Sequence, residues 1–168
     1  MVLISVLDFQ NGGKSAIFSN EPEPITETAD YLAANWRDPA CEGELLSLAQ
    51  VWGSRLLVPE VWREVLPQAG LLISSAISGG DLRQRFREAA ERPCWLLTEP
   101  MKTAFPLPCP SGQGVPVLDL PKRQSFYSEA LGCRYLHDPE QVILFDTEET
   151  MEKKIELAKA CGFVGVIA

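Results

Sequence analysis

Val142-Ile143-Leu144-Phe145-Asp146 begins the stretch whose reading decides the fold. Four consecutive apolar residues ending in a carboxylate read as a buried strand. Thr147 to Cys161 follows with a helical repeat: Met151, Ile155 and Ala158 form the apolar stripe. Glu148 and Glu149 stand at the positive end of that helix, and Lys153, Lys154 and Lys159 lie further along. Asp146 and Glu149 have the spacing of a capping box, and Glu149 can pair with Lys153 one turn on. Gly162 stops the helix, and Phe163-Val164-Gly165-Val166-Ile167-Ala168 is a second apolar run. Strand, helix and strand together predict a β–α–β unit and an α/β domain with parallel sheet.

Outward from this stretch the same alternation recurs. Leu3 to Asp8 reads as a first strand, and a polar turn, Gln10 to Ser15, follows it. Pro22 and Pro24 exclude helix interior, so a helix is expected to start near Ile25 or Thr26 and to run on through Ala29, Leu32, Ala33 and Trp36. A second helix covers about Gly43 to Trp52, ended by Gly53. A short strand, Arg55 to Val58, and a short helix from Pro59 come next. Leu71 to Ile77 is a strand, Gly79-Gly80 a turn, and Asp81 caps a helix to about Glu91. Cys94 to Thr98 is a further strand. Six prolines between Pro100 and Pro121 predict a long, stiff connection, and Gln124 to Ser128 a short strand. The expectation is one α/β domain over residues 1–168. It has a mainly parallel sheet of about five or six strands, either an incomplete TIM-like barrel or an open three-layer sheet.

Composition narrows the function classes. The chain has 168 residues, 46% of them hydrophobic, which is enough for a sizeable core but short of the ~250 residues of a complete eight-unit barrel. The net charge of -8 disfavours nucleic acid and anionic membrane surfaces as partners. No apolar run approaches the ~18 residues of a membrane span, and the N-terminus lacks the basic region of a signal peptide. The five cysteines are Cys41, Cys94, Cys109, Cys133 and Cys161. They contain no Cys-x-x-Cys pair, and with His137 as the one histidine they predict a reduced, cytoplasmic protein with no metal and no cofactor.

Several residues can carry chemistry. Asp8, Glu99 and Asp146 each follow an apolar strand, and in a parallel sheet such carboxyl ends gather on the edge where ligands bind. Asp146 has a second job as a helix cap. Glu99, which opens the proline-bearing connection, is the expected general acid or base, with Asp8 as supporting carboxylate. Tyr127, Glu129 and Arg134 crowd one segment, near Cys133, Tyr135 and His137, and are the expected ligand-binding residues. Gly79 and Gly80 form a strand-to-helix corner whose backbone donors can meet an anion. Gly12-Gly13-Lys14-Ser15 matches only the end of a phosphate-binding loop, and Asp8 stands where that loop needs its first glycine. Trp36, Trp52, Trp62 and Trp95 fall on core faces rather than on exposed stacking surfaces.

Residues 142–168 resemble the last β/α unit of family-18 glycoside hydrolases, the chitinase-like barrels. The resemblance lies in Phe145-Asp146-Thr147-Glu148-Glu149-Thr150-Met151-Glu152-Lys153-Lys154 and in Cys161-Gly162-Phe163-Val164-Gly165-Val166-Ile167. It implies a barrel-like fold. The family's Asp-x-x-Asp-x-Asp-x-Glu run is absent, so hydrolase chemistry by that machinery is not implied. The expected function is binding or hydrolysis of a small polar molecule, such as a carbohydrate, at the strand carboxyl ends. A non-catalytic interaction or scaffold domain is the alternative. Apolar strand edges of an incomplete barrel would favour a homo-oligomer.

Overall fold

The computed structural model describes residues 4–8, 30–108 and 113–168. The expectations for Gln10 to Ser15, for Pro22 and Pro24, and for the start of the first helix lie outside the described residues. The fold is mixed α/β. Strands pair in two sheets: one of six strands in the order Ile4–Asp8, Tyr31–Asn35, Leu56–Pro59, Gly70–Ser74, Cys94–Leu97 and Gly165–Ile167, and one of five in the order Val115–Pro116, Lys102–Pro106, Gln141–Phe145, Cys133–His137 and Phe126–Ser128. The chain divides into two compact units, Met1–Ile73 with Arg92–Trp95, and Ser74–Glu91 with Leu96–Ala168.

The first unit is built on parallel strands. β1 (Ile4–Asp8) pairs with β2 (Tyr31–Asn35) from Ile4 opposite Tyr31 to Asp8 opposite Asn35. β2 pairs with β3 (Leu56–Pro59), and β3 with β4 (Gly70–Ser74), both parallel. Tyr31 to Asn35 was expected to be helical. Its burial explains the strand instead: Leu32, Ala33 and Ala34 are all buried, and three successive buried residues need both faces of a covered sheet. α1 (Glu42–Trp52) buries Leu45 and Trp52, and Gly53 ends it, as expected. The expected helix after Pro59 is a single 3₁₀ turn, Glu60–Trp62. The Trp62 indole donates to the Trp36 carbonyl at 2.5 Å. The Arg92 guanidinium donates to the carbonyls of Arg63, Leu66 and Ala69, closing the loop after Trp62, and burial lowers its pKa. All four tryptophans are buried.

In the second unit, Asp81 caps α2 (Leu82–Ala89) by accepting from Gln84 N–H at 2.9 Å, and Leu82, Phe86 and Ala89 face inward. β5 (Cys94–Leu97), whose first two residues belong to the first unit, is hydrogen-bonded to the strand before α2 in parallel. Leu71 N–H donates to Pro93 O, and four residues on in both segments Ser75 N–H donates to Leu97 O. The proline-bearing segment is not an irregular connection throughout. It holds β6 (Lys102–Pro106) and β7 (Val115–Pro116), followed by β8 (Phe126–Ser128), β9 (Cys133–His137) and β10 (Gln141–Phe145). Pro116 fits because β7 is an edge strand, where a missing N–H breaks no ladder.

The decisive stretch has the expected elements but not the expected pairing. α3 (Glu148–Cys161) follows β10 and leads into β11 (Gly165–Ile167). β10, however, pairs antiparallel with both β6 and β9, while β11 belongs to the other sheet. The expected parallel sheet of five or six strands is therefore present, but it is not the only sheet: the chain also forms a five-stranded antiparallel one, and β10 belongs to that one. β10 is apolar from Val142 to Phe145 because both its faces are covered there. Ile143 and Phe145 pack with Ala104 and Leu136, and Leu144 packs with Met101 and Cys133. The cap is also shifted by one residue. Thr147 Oγ1 accepts from Thr150 N–H and the Thr150 hydroxyl oxygen accepts from Thr147 N–H, so the capping box is Thr147–Thr150 rather than Asp146–Glu149. Among the described residues no helix is long and apolar enough to cross a membrane.

Candidate functional site

Two polar constellations stand out in the second unit. The first is a buried network around Asp146. With capping left to Thr147, the Asp146 carboxylate turns inward. Lys154 Nζ lies 2.8 Å from Oδ1 and 3.0 Å from Oδ2, and the two side chains are 1% and 0% exposed. Lys154 also donates to Ser75 O at 2.9 Å, so its ammonium is hydrogen-bonded both to Asp146 Oδ2 and to a backbone carbonyl. Asp146 accepts in addition from Met101 N–H and from the Thr150 hydroxyl, each at 2.9 Å. Cys133 is nearby. Burial pushes its thiol pKa up to about 11, the Asp146 charge adds to the rise and Lys154 opposes it.

Glu99 stands at the edge of this network. Its carboxylate accepts from the Ser74 hydroxyl, its N–H donates to Ser75 Oγ at 2.8 Å, and the Ser75 hydroxyl donates to Glu99 O at 3.2 Å. Ser75 thus connects Glu99 on one side, through its own side chain, with Lys154 and Asp146 on the other, through its carbonyl. Two of the three strand-end carboxylates are therefore joined through one serine. The third, Asp8, closes β1 opposite Asn35 in the first unit, and its side chain lies outside the described residues.

The second constellation is a half-open cavity of about 450 Å³. α2 contributes Leu82 and Arg83, β8 and its turn contribute Tyr127, Glu129 and Gly132, and α3 contributes Lys153, the Lys154 stem, Glu156 and Leu157. Tyr127 and Glu129, both expected from the sequence, are brought together here. Arg134 is not a lining residue. It sits opposite Tyr127 in the strand register, and its guanidinium is tied to the Ser125 hydroxyl and carbonyl at 2.8 and 2.9 Å. Gly79 and Gly80 form an exposed turn and do not line the cavity either. Lys153 Nζ lies 4.8 Å from the Tyr127 ring centroid and 3.0 Å from Glu149 Oε1. That contact lowers the Glu149 pKa and raises that of Lys153.

Gly132 shapes the cavity wall. Its φ is +66°, and a Cβ there would come within 2.7 Å of Leu82 Cδ2. Sequence reasoning did not single out Arg83, Gly132, Lys154 or Glu156. For Lys154 a signal existed: Thr150, Lys154 and Ala158 recur every four residues and form the fully buried line of α3. Among the described residues no group of three or more His, Cys, Asp or Glu side chains could hold a metal. The chain matches no known family model, no curated protein and no solved structure at a significant level.

Proposed function

We propose that the second unit binds a small polar molecule, such as a carbohydrate, in the cavity beside Tyr127. The observation that carries this is the convergence of an aromatic ring, two cations (Arg83 and Lys153) and two carboxylates (Glu129 and Glu156) around about 450 Å³. Ligand cavities commonly enclose ~300–1,000 Å³ and combine apolar walls with a few polar groups. Leu82, Leu157 and Ala160 supply the apolar part. Hydrolysis is the further step of this reading, with Glu99 as acid or base beyond the end of β5, linked through Ser75 to Lys154 in the cavity wall. The protein would then act as a cytoplasmic, hydrolase-like homo-oligomer that needs neither nucleic acid nor membrane.

A thermal-shift panel of neutral oligosaccharides, sugar phosphates, nucleotides with Mg²⁺ and divalent metals tests the binding. A ligand at 100 times its Kd adds about 2.7 kcal/mol of stability. The expected result is a shift with a sugar that Tyr127→Ala and Glu129→Gln remove, and no shift with any member of the panel overturns the reading. Glu99→Gln tests the hydrolytic step. The amide keeps an acceptor for the Ser74 hydroxyl, so turnover should vanish while the melting temperature hardly moves.

One observation favours the alternative of an interaction or scaffold domain. Leu107, Val115 and Leu118 are exposed along the proline-bearing segment, with Leu118 at 91%. On that reading, sedimentation of the purified chain would show association that Leu118→Asp abolishes.

A further inference from the structure

The four buried tryptophans leave another aromatic group at the surface. Phe126 in β8 is opposite Tyr135 in β9, and His137 follows Tyr135 two residues on, so all three side chains project from one face of the antiparallel sheet. The ring centroids lie 5.6 Å apart for Phe126 and Tyr135, 6.0 Å for Phe126 and His137, and 6.2 Å for Tyr135 and His137, with interplanar angles of 31–34°. Phe126 is 42% exposed, His137 is exposed and Tyr135 is half-buried against the Met101–Cys133–Leu144 cluster. Neither the Tyr135 hydroxyl nor the His137 imidazole makes a hydrogen bond among the described residues.

We propose that these three rings are a stacking surface for a neutral glycan, separate from the cavity beside Tyr127. Tyr127 follows Phe126 in the strand and therefore projects to the opposite face. The chemistry selects the ligand. Ring faces offer an apolar, polarisable surface, and the Tyr135 hydroxyl and His137 nitrogens offer unused polar groups at its edge. A pyranose matches both, with an apolar C–H face and a rim of hydroxyls. Unpaired nucleobases also stack on such rings, but their phosphates would meet a chain of net charge -8. No charged side chain belongs to the three-ring group, and the adjacent Asp138 is already engaged by Arg123 at 3.2 Å.

Isothermal titration of the full chain with cello-, chito- and malto-hexaose tests this, with oligo-dT as the competing ligand class. The expected result is saturable binding of at least one hexaose, weakened about ten-fold or more by Phe126→Ala and by His137→Ala, the scale of losing one stacked ring. His137 lies in an exposed position, so His137→Ala remains decisive if Phe126→Ala fails to fold. Three results would overturn the inference: no hexaose binds, both variants bind as the parent does, or oligo-dT binds more tightly than any hexaose. Hexaose binding lost in Tyr127→Ala but kept in Phe126→Ala would place the sugar in the cavity and sink this inference alone.

Discussion

Lys154→Met isolates the buried ion pair. The substitution keeps a long apolar stem of similar volume and removes only the ammonium. It leaves the Asp146 carboxylate, whose side chain is fully buried, without its counter-charge, and leaves Ser75 O without its donor. Breaking a buried pair by removing one partner costs about 3–5 kcal/mol. Met101 N–H and the Thr150 hydroxyl still solvate the carboxylate, which points to the lower end, about 3 kcal/mol. Against a total stability of roughly 5–15 kcal/mol that is a large fraction. Asp146→Asn in the Lys154→Met background removes the stranded charge; its one amide oxygen still accepts from Met101 N–H, and the Thr150 hydroxyl can donate to Thr147 O instead. The double variant should therefore be more stable than Lys154→Met alone by about 1–2 kcal/mol, the desolvation cost of an uncompensated polar group. Urea unfolding followed by far-UV circular dichroism is the assay. All four tryptophans belong to the first unit, so their fluorescence follows a part of the chain in which neither residue lies. A loss below about 1 kcal/mol for Lys154→Met, the value typical of exposed pairs, would refute the reasoning, as would a double variant no more stable than the single.

Three further outcomes follow from local geometry. Cys133 is held protonated to about pH 11 by burial, whereas an unfolded thiol ionises near ~8.5. Between those values the unfolded chain binds fewer protons, so stability falls as pH rises, by about 2–3 kcal/mol from this group, and urea unfolding of Cys133→Ala from pH 8 to 11 should show a shallower alkaline loss. Gly132→Ala and Gly162→Ala both place a Cβ at positive φ, but only Gly132 meets a neighbour, Leu82 Cδ2 at 2.7 Å. Gly162→Ala should cost about 1 kcal/mol, the left-handed penalty alone, and Gly132→Ala visibly more in the same melt, with equal losses refuting the steric argument. Thr147→Ala removes the cap of α3 and should cost about 1 kcal/mol, whereas Glu149→Ala, outside the capping box, should cost less than half of that.

Much of the secondary structure was legible because its signals are local. Asp81 before Leu82, Gly53 after Trp52 and Gly162 after Cys161 act through backbone groups within one turn, and each falls where the helix begins or ends. Pairing is not local, and there the sequence was ambiguous. An apolar run such as Val142 to Phe145 says that both faces are covered, not whether the neighbouring strands run with it or against it. The same ambiguity hid β2. Leu32, Ala33 and Trp36 satisfy a helical stripe, and the burial of Ala34 between them shows a covered strand. The prolines misled for a different reason. Pro106 ends β6 and Pro116 lies in the edge strand β7, two places where the absent N–H has no ladder bond to lose.

The candidate site was half legible for a reason that one residue explains. Tyr127 and Glu129 could be named from their neighbourhood because a turn keeps sequence neighbours together in space. Lys154 could not be, because three lysines on one helix read as a solvated positive end. What separates them is register. Lys153 and Lys159 fall on the exposed side of α3, while Lys154 shares the line of Thr150 and Ala158. That line is affordable for a cation only if a carboxylate waits beneath it. Asp146 can wait there only because Thr147, not Asp146, caps the helix. Shift the cap back by one residue and Asp146 would be spent on backbone N–H groups at the helix end, with Lys154 buried and unpaired. The identity of residue 147 as a threonine, able to accept from Thr150 N–H, thus determines whether the charge at residue 154 can be buried at all.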